Sequence, residues 1–71
     1  MATTNTEFAR KVGVHFTMAS RMRNGQRLPS VKTLTKISTE YEIPLATLIE
    51  AYGAGAGSFS ALLRDRVFEA A

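Results

Sequence analysis

Residues 7–27 read EFARKVGVHFTMASRMRNGQR, and this stretch decides the fold that the sequence predicts. A short helix centred on the small residue Ala9 is followed by Gly13 and Val14, and then by a second helix that turns Met22 inward. A small residue lets the second helix cross close to the first, a glycine suits a turn residue of positive φ, and an apolar residue fills the space between the helices. The spacing therefore predicts a helix-turn-helix.

The rest of the chain is punctuated as further short helices. Capping residues, glycines and prolines mark where each helix begins and ends. The predicted helices run from about Thr6 to Val12, from about Phe16 to Arg23, from Ser30 to about Tyr41, from Pro44 to a C-cap at Gly53, and onward from a cap at Ser58 or Ser60. No segment alternates like a β-strand for more than a few residues. The predicted fold class is all-α, a compact bundle of four to five short helices that contains the helix-turn-helix.

The composition along the chain predicts three segments: a helix-turn-helix domain over 1–52, a Gly/Ala hinge over 53–57 and a C-terminal amphipathic helix over 58–71. The hinge reads GAGAG, and three glycines in five residues make a flexible connection. The last helix carries an apolar stripe opposite its charged residues, and this stripe comprises Phe59, Leu62, Leu63, Val67 and Phe68.

The charges are divided unequally between the two halves of the chain. Residues 1–36 hold seven basic side chains and one acidic side chain, whereas residues 37–71 hold two basic and five acidic. The net charge of +3 therefore hides a basic first half. Such a half points first to a polyanion, most often a nucleic acid, and a solvated charged face is the alternative.

Size and composition exclude several classes of protein. The 71 residues are 45% hydrophobic and 21% charged, which is ordinary for one small globular domain and too apolar for a disordered tail. There is no cysteine, so a disulfide scaffold and a thiolate metal site are excluded. The N-terminus does not read as a signal peptide and no stretch is long enough to be a membrane helix, so a cytoplasmic protein is expected.

The loop after the second helix reads NGQRLPS over 24–30, and with the motif before it this run resembles the phage-repressor and Cro type (XRE-like) of helix-turn-helix domain, found in bacterial transcription regulators. Later apolar positions, among them Leu34, Ile37 and Leu48, fall where that family keeps its core. The resemblance covers about residues 6–52.

The resemblance implies that residues 16–23 form a recognition helix lying in the major groove of double-stranded DNA. Arg21 is the first choice for reading sequence, because a guanidinium can bind the O6 and N7 atoms of guanine together. The positions that face bases are Phe16, Thr17 and Arg21. The positions that flank them or contact the DNA backbone are His15, Ser20, Arg23, Asn24, Gln26, Arg27, Lys32 and Lys36. For the arginines and lysines of this set, a solvated surface charge is the alternative interpretation.

Three features depart from the family pattern. Phe16 stands where the family usually has a polar reader, so it either contacts a thymine methyl group or folds back against its own domain. His15 replaces the usual Ser or Thr at the helix start, which leaves that cap open. Residues 1–5 are too few to form the helix that normally precedes the motif. The C-terminal stripe is expected to cover the resulting gap, either within the chain or on a second copy, and the second arrangement leads to the hypothesis of a homodimer.

The function predicted is a sequence-specific, double-stranded DNA-binding regulator, most simply a phage-type repressor or Cro-like protein that binds a pseudo-palindromic operator as a dimer. Two alternatives are an antitoxin-like or other interaction module that uses the C-terminal helix, and a DNA-architectural protein of recombination. No enzyme, cofactor, metal or small-molecule substrate is expected, because the single histidine has no partner cluster and no catalytic set of residues is present.

Overall fold

The structure is a computed structural model that describes residues 3–69. The helices are α1 (Asn5–Val12), α2 (Phe16–Arg23), α3 (Val31–Tyr41), α4 (Leu45–Ala54) and α5 (Ala56–Leu63), and a π-helical turn (Arg64–Phe68) continues α5. No strand occurs within 3–69. The predicted all-α bundle with a helix-turn-helix is confirmed.

Local capping explains where the first three helices begin. The Thr4 side chain accepts a hydrogen bond from the backbone N–H of Glu7 at 3.1 Å, and the Ser30 side chain accepts one from Thr33 at 3.3 Å. At α2 the histidine itself makes the cap, because the Nδ1 of His15 accepts from the N–H of Thr17 at 3.1 Å. A ring nitrogen thus replaces the hydroxyl oxygen that usually satisfies a free N–H at a helix start.

The turn of the motif also has the predicted geometry. Gly13 follows α1 with a φ of 73°, and its N–H and that of Val14 both donate to the carbonyl of Ala9. A side chain at this φ would be strained, whereas glycine adopts it readily. The turn therefore depends on a glycine at this position.

The predicted hinge is narrower than its glycines suggest. Helix α4 continues through Gly53 to Ala54, so the prediction of a C-cap at Gly53 is wrong, and α5 already begins at Ala56. Gly55 alone separates the two helices, with φ 117° and ψ 170°. A predicted five-residue hinge is thus a one-residue break, because alanine favours helix and a glycine inside a helix costs only about 1 kcal/mol.

The predicted caps at Ser58 and Ser60 are also wrong. Gly55 precedes the first residue of α5, and no side chain caps that helix. Ser60 lies in the middle of α5, where it is fully buried. The outer ends of the predicted segments, residues 1, 2, 70 and 71, lie outside the described residues.

The core is closed by α5 and the π-helical turn, residues 56–68, which we call the C-terminal segment. Four residues of the predicted stripe are buried and Leu62 is half-buried; the buried four are Phe59, Leu63, Val67 and Phe68. They pack with Phe8 of α1, Met22 of α2 and Leu48 of α4 in one cluster. Of the two arrangements left open, the structure has packing within the chain, so the stripe is not an exposed surface for a second copy.

None of the helices within residues 3–69 combines the length and the apolar character that crossing a membrane requires.

Candidate nucleic-acid interface

Helix α2 has one buried face and one exposed face. Ala19 and Met22 are fully buried, as the spacing predicts. Phe16, Thr17 and Arg21 are exposed. Thr17 and Arg21 are four residues apart, so their side chains lie one above the other on the helix, whereas Phe16 directly precedes Thr17 and lies about 100° around the helix from it. Every residue predicted to read bases therefore lies on the exposed surface of α2.

Phe16 lies at the N-terminal end of this surface. Its side chain is 51% exposed, so it does not belong to the buried core of its own domain. The prediction that it folds back into the domain is not supported by this placement. The ring is therefore accessible at the surface of α2.

The residues predicted to flank the readers differ in exposure. His15, Asn24, Gln26, Arg27, Lys32 and Lys36 are exposed, whereas Ser20 and Arg23 are half-buried. The turn that carries Gln26 and Arg27 is fixed by backbone hydrogen bonds, from Gln26 to the carbonyl of Arg21 at 2.9 Å and from Gly25 to the carbonyl of Met22 at 3.3 Å. This pair of bonds, with Gly25 at a φ of 74°, is a Schellman motif. The exposed polar groups after α2 therefore stand on an ordered turn.

Arg23 is bound within the protein. One of its guanidinium nitrogens donates to Oδ1 of Asn5 at 3.0 Å, and the guanidinium carbon lies 4.7 Å from the centre of the Phe68 ring. The structure therefore does not bring Arg23 together with the exposed residues of α2. The sequence offered no signal for this, because Asn5 and Phe68 lie near opposite ends of the chain.

The two lysines of α3 lie beside the turn of the motif. Lys32 and Lys36 line a groove of about 710 Å³ together with Val12 and Gly13. The ammonium group of Lys36 lies 3.8 Å from a carboxylate oxygen of Glu40. An exposed pair of this kind contributes little to stability. Lys32 is the nearer of the two lysines to the start of α3 and has no ion pair within the described residues.

The sequence interpretation missed Ser60. Its hydroxyl donates a 2.6 Å hydrogen bond to the backbone carbonyl of Arg23 and accepts one from Arg64 at 3.0 Å. One signal was present, since Ser60 is spaced to lie on the same helical face as Leu63 and Val67, where a polar residue needs a partner.

The comparison with family models decides the relationship of this chain to known proteins. The model described as helix-turn-helix matches residues 2–48, which is more than half of the chain. The chain belongs to the XRE-type helix-turn-helix family. It is therefore a DNA-binding transcriptional regulator of the XRE type. Comparisons with curated proteins and with solved structures give no match.

In this XRE-type protein the folded chain extends beyond the residues that the family model matches. The match stops at residue 48, within α4, and leaves the C-terminal segment outside it. That segment nevertheless supplies Phe59, Leu63 and Phe68 to the core. Within residues 3–69 no three histidine, aspartate or glutamate side chains stand close enough together to hold a metal ion.

Proposed function

We propose that this XRE-type protein is a sequence-specific repressor of the phage or Cro-like kind, which binds a pseudo-palindromic DNA operator as a dimer in the bacterial cytoplasm. The observation that carries the proposal is the exposed face of α2, on which Phe16, Thr17 and Arg21 stand together with no intramolecular hydrogen bond of their side chains within the described residues. A helix face of this size and chemistry fits the major groove.

Base reading is assigned to the three side chains of this face. Arg21 donates to O6 and N7 of a guanine, a contact worth about 1–3 kcal/mol of discrimination. Thr17 offers both a hydroxyl and a methyl group, which suit a phosphate oxygen or a thymine methyl. Phe16 contacts a thymine methyl through its exposed ring.

Positioning on the DNA backbone is assigned to the exposed polar residues around α2. Asn24, Gln26 and Arg27 stand on the ordered turn that follows the helix, and Lys32 lies at the start of α3. Such contacts place a protein without reading sequence, and they make the affinity fall with added salt. Lys36 lies one helical turn beyond Lys32 and its pairing with Glu40 makes it the weaker contact.

Dimeric binding is proposed together with the pseudo-palindromic operator, because the two-fold symmetry of each matches that of the other. Two copies related by a two-fold axis read half-sites about one helical turn apart, and occupancy of such a site blocks polymerase. The copies do not meet through the C-terminal stripe, because that stripe is buried within each chain. The same burial removes the surface that an antitoxin-like interaction module would have used.

The test is a footprinting and gel-shift screen against DNA that flanks the protein's own gene. Arg21→Ala should weaken binding to the protected site by about 1–3 kcal/mol and relax the preference at one base pair. The matched control is Arg66→Ala, which removes an equal charge from the exposed side of the C-terminal segment and should keep the base preference. Equal losses for both variants would mean that Arg21 acts only through its charge.

The dimer is tested separately by sedimentation of the protein with the protected DNA. Two copies per site, with symmetric protection of both half-sites, support it. A complex of one copy per site with full affinity contradicts it, and leaves the base-reading assignment of Arg21 unaffected.

A further inference from the structure

The last carbonyls of α2 are satisfied by two different means. A helix end leaves its final carbonyl groups without partners inside the helix. The Schellman motif supplies donors for two of them, since Gln26 donates to the carbonyl of Arg21 and Gly25 to that of Met22. The carbonyl of Arg23 receives its donor from a distant part of the chain, the hydroxyl of Ser60 at 2.6 Å. The recognition helix is therefore capped from the C-terminal segment.

Ser60 is held in this position by its burial and by contacts with its neighbours. Its residue is fully buried, and its hydroxyl oxygen accepts a hydrogen bond from Nη2 of Arg64 at 3.0 Å. A charged donor on the oxygen strengthens the bond that the hydroxyl gives to the carbonyl of Arg23. A Cβ atom on Gly25 would lie 3.5 Å from Cβ of Ser60 and 3.6 Å from Cα of Gly57. The turn after α2 thus rests directly on α5.

The side chain of Arg23 ties the same helix end to a second point of the C-terminal segment. Its guanidinium stacks on Phe68 at 4.7 Å and donates to Asn5 at 3.0 Å. A planar, charged group suits stacking and directed donation together in a way that an ammonium group does not. Backbone and side chain of Arg23 are therefore both held.

We propose that Ser60, Arg64 and Phe68 are positioning residues for DNA recognition: they hold the end of α2, through Arg23, at the orientation that base reading requires. The inference rests on the proposed function. Residues that read bases must be held to within a fraction of an ångström by their supporting shell, and α2 has only two turns of its own. Contacts to phosphates tolerate a small rotation of the helix better than bidentate contacts to base edges do.

The first arm of the test compares Ser60→Ala with Ser58→Ala. Ser58 is an exposed serine of the same helix, so its replacement is matched in chemistry. With both variants shown to be folded by circular dichroism, the affinity for the footprinted site and for a scrambled duplex is measured at one salt concentration. Ser60→Ala should lower the affinity for the footprinted site by about three- to tenfold and that for the scrambled duplex by less than about twofold. Ser58→Ala should change neither.

A merely structural role gives a different result. If Ser60→Ala only lowered stability, it would reduce the folded fraction and weaken both duplexes by the same factor. Equal losses on the two duplexes, or no loss on either, would therefore overturn the inference.

The second arm follows amide hydrogen exchange in the free protein. The amides of Gly25 and Gln26 close the Schellman motif, so they report directly on the end of α2. Ser60→Ala should raise their exchange rates while Ser58→Ala leaves them unchanged. If the unmodified protein shows no preference for any DNA, the proposed function fails and the positioning role with it; the exchange rates then still decide whether the C-terminal segment holds the helix end.

The third arm separates positioning from phosphate contact at Arg23. Arg23→Lys keeps the charge and loses the planar stack, whereas Arg23→Met loses both. If Arg23 positions the helix, both Arg23→Lys and Arg23→Met should lower the affinity for the footprinted site, and the salt dependence of binding should not change. If Lys restores affinity and Met lowers the salt slope by about one, Arg23 contacts a phosphate and the inference is wrong for this residue.

Discussion

The rings of Phe8 and Phe68 pack in the core with their centres 5.0 Å apart and their planes tilted by 52°. Phe8 belongs to the first helix of the motif and Phe68 to the last turn of the described chain. Both are fully buried. The C-terminal segment thus covers the face of α1 that carries Phe8.

This contact predicts a large loss of stability for Phe68→Ala. Removing a buried phenylalanine costs about 3–5 kcal/mol, which is comparable to the whole stability that so small a core supplies. Urea and thermal unfolding followed by circular dichroism would show a protein largely unfolded at room temperature. Phe16→Ala is the matched control, because it removes an exposed ring and should change stability by less than about 0.5 kcal/mol. Similar melting of both variants would contradict the burial of Phe68.

The break at Gly55 predicts opposite effects for two neighbouring glycines. Gly55→Ala should destabilise the protein by about 1–3 kcal/mol, because a φ of 117° is open essentially only to glycine. Gly53→Ala lies inside α4, where an added Cβ meets nothing within 4 Å, and should stabilise it by about 0.5–1 kcal/mol. The midpoints of urea unfolding test both. If both variants were stabilised, the break between α4 and α5 would not be fixed at Gly55.

The end of α3 predicts a stabilising substitution at Glu42. This exposed residue has a φ of 53° and a ψ of 42°, the left-handed conformation that glycine adopts without strain. Glu42→Gly should raise the stability by about 0.5–1 kcal/mol, and so the melting temperature by a few degrees. Glu40→Gly, two residues earlier in the regular helix, should lower it by about 1 kcal/mol. A loss for both would mean that the left-handed cap is not strained.

The environment of Tyr41 predicts that the stability of the folded protein falls at high pH. Burial raises the pKa of Tyr41 above its ordinary 10.0, and the nearby carboxylates of Glu7 and Glu40 raise this pKa further. Thr3 lowers this pKa, and within residues 3–69 the buried hydroxyl of Tyr41 has no hydrogen-bond partner of good geometry. Because the folded state holds its proton more tightly than the unfolded chain, the contribution of Tyr41 to stability is complete below pH 10 and is lost as the pH rises beyond it.

Tyr41→Phe tests this account. Above about pH 10 the variant should lose less stability than the unmodified protein, because phenylalanine has no proton to release. At neutral pH its free energy of unfolding should be equal or higher by about 1 kcal/mol, because a buried hydroxyl without a partner in residues 3–69 is removed. Urea unfolding at pH 7 and at pH 10.5 gives both values. A variant markedly less stable at pH 7 would show that the hydroxyl has a partner after all.

The local features of the fold could be read from the sequence. The cap at Ser30, the turn at Gly13 and the inward faces of Ala19 and Met22 follow from neighbouring residues alone, and all of them are present in the structure. The cap at His15 was left open, because a ring nitrogen is an unusual acceptor at this position.

The exposed face of the candidate site was predicted in the same way. The exposure of Phe16, Thr17 and Arg21 follows from helical spacing once Ala19 and Met22 are buried. Which bases they read remains a prediction, because a helix face determines what is available and not what it meets.

The tertiary structure alone decided how the end of the chain is used. The apolar character of the stripe that contains Phe59 and Phe68 predicted that it must be covered. The sequence pattern is the same whether the covering surface lies in the same chain or in a second copy. The contacts of Arg23 with Ser60 and Phe68 join residues that are far apart in sequence. The shortening of the hinge to Gly55 depends on how α4 and α5 cross. Spacing and capping act over a few residues, so the sequence determined the motif and its exposed face. The support behind that face depends on contacts that exist only after the chain has folded back on itself.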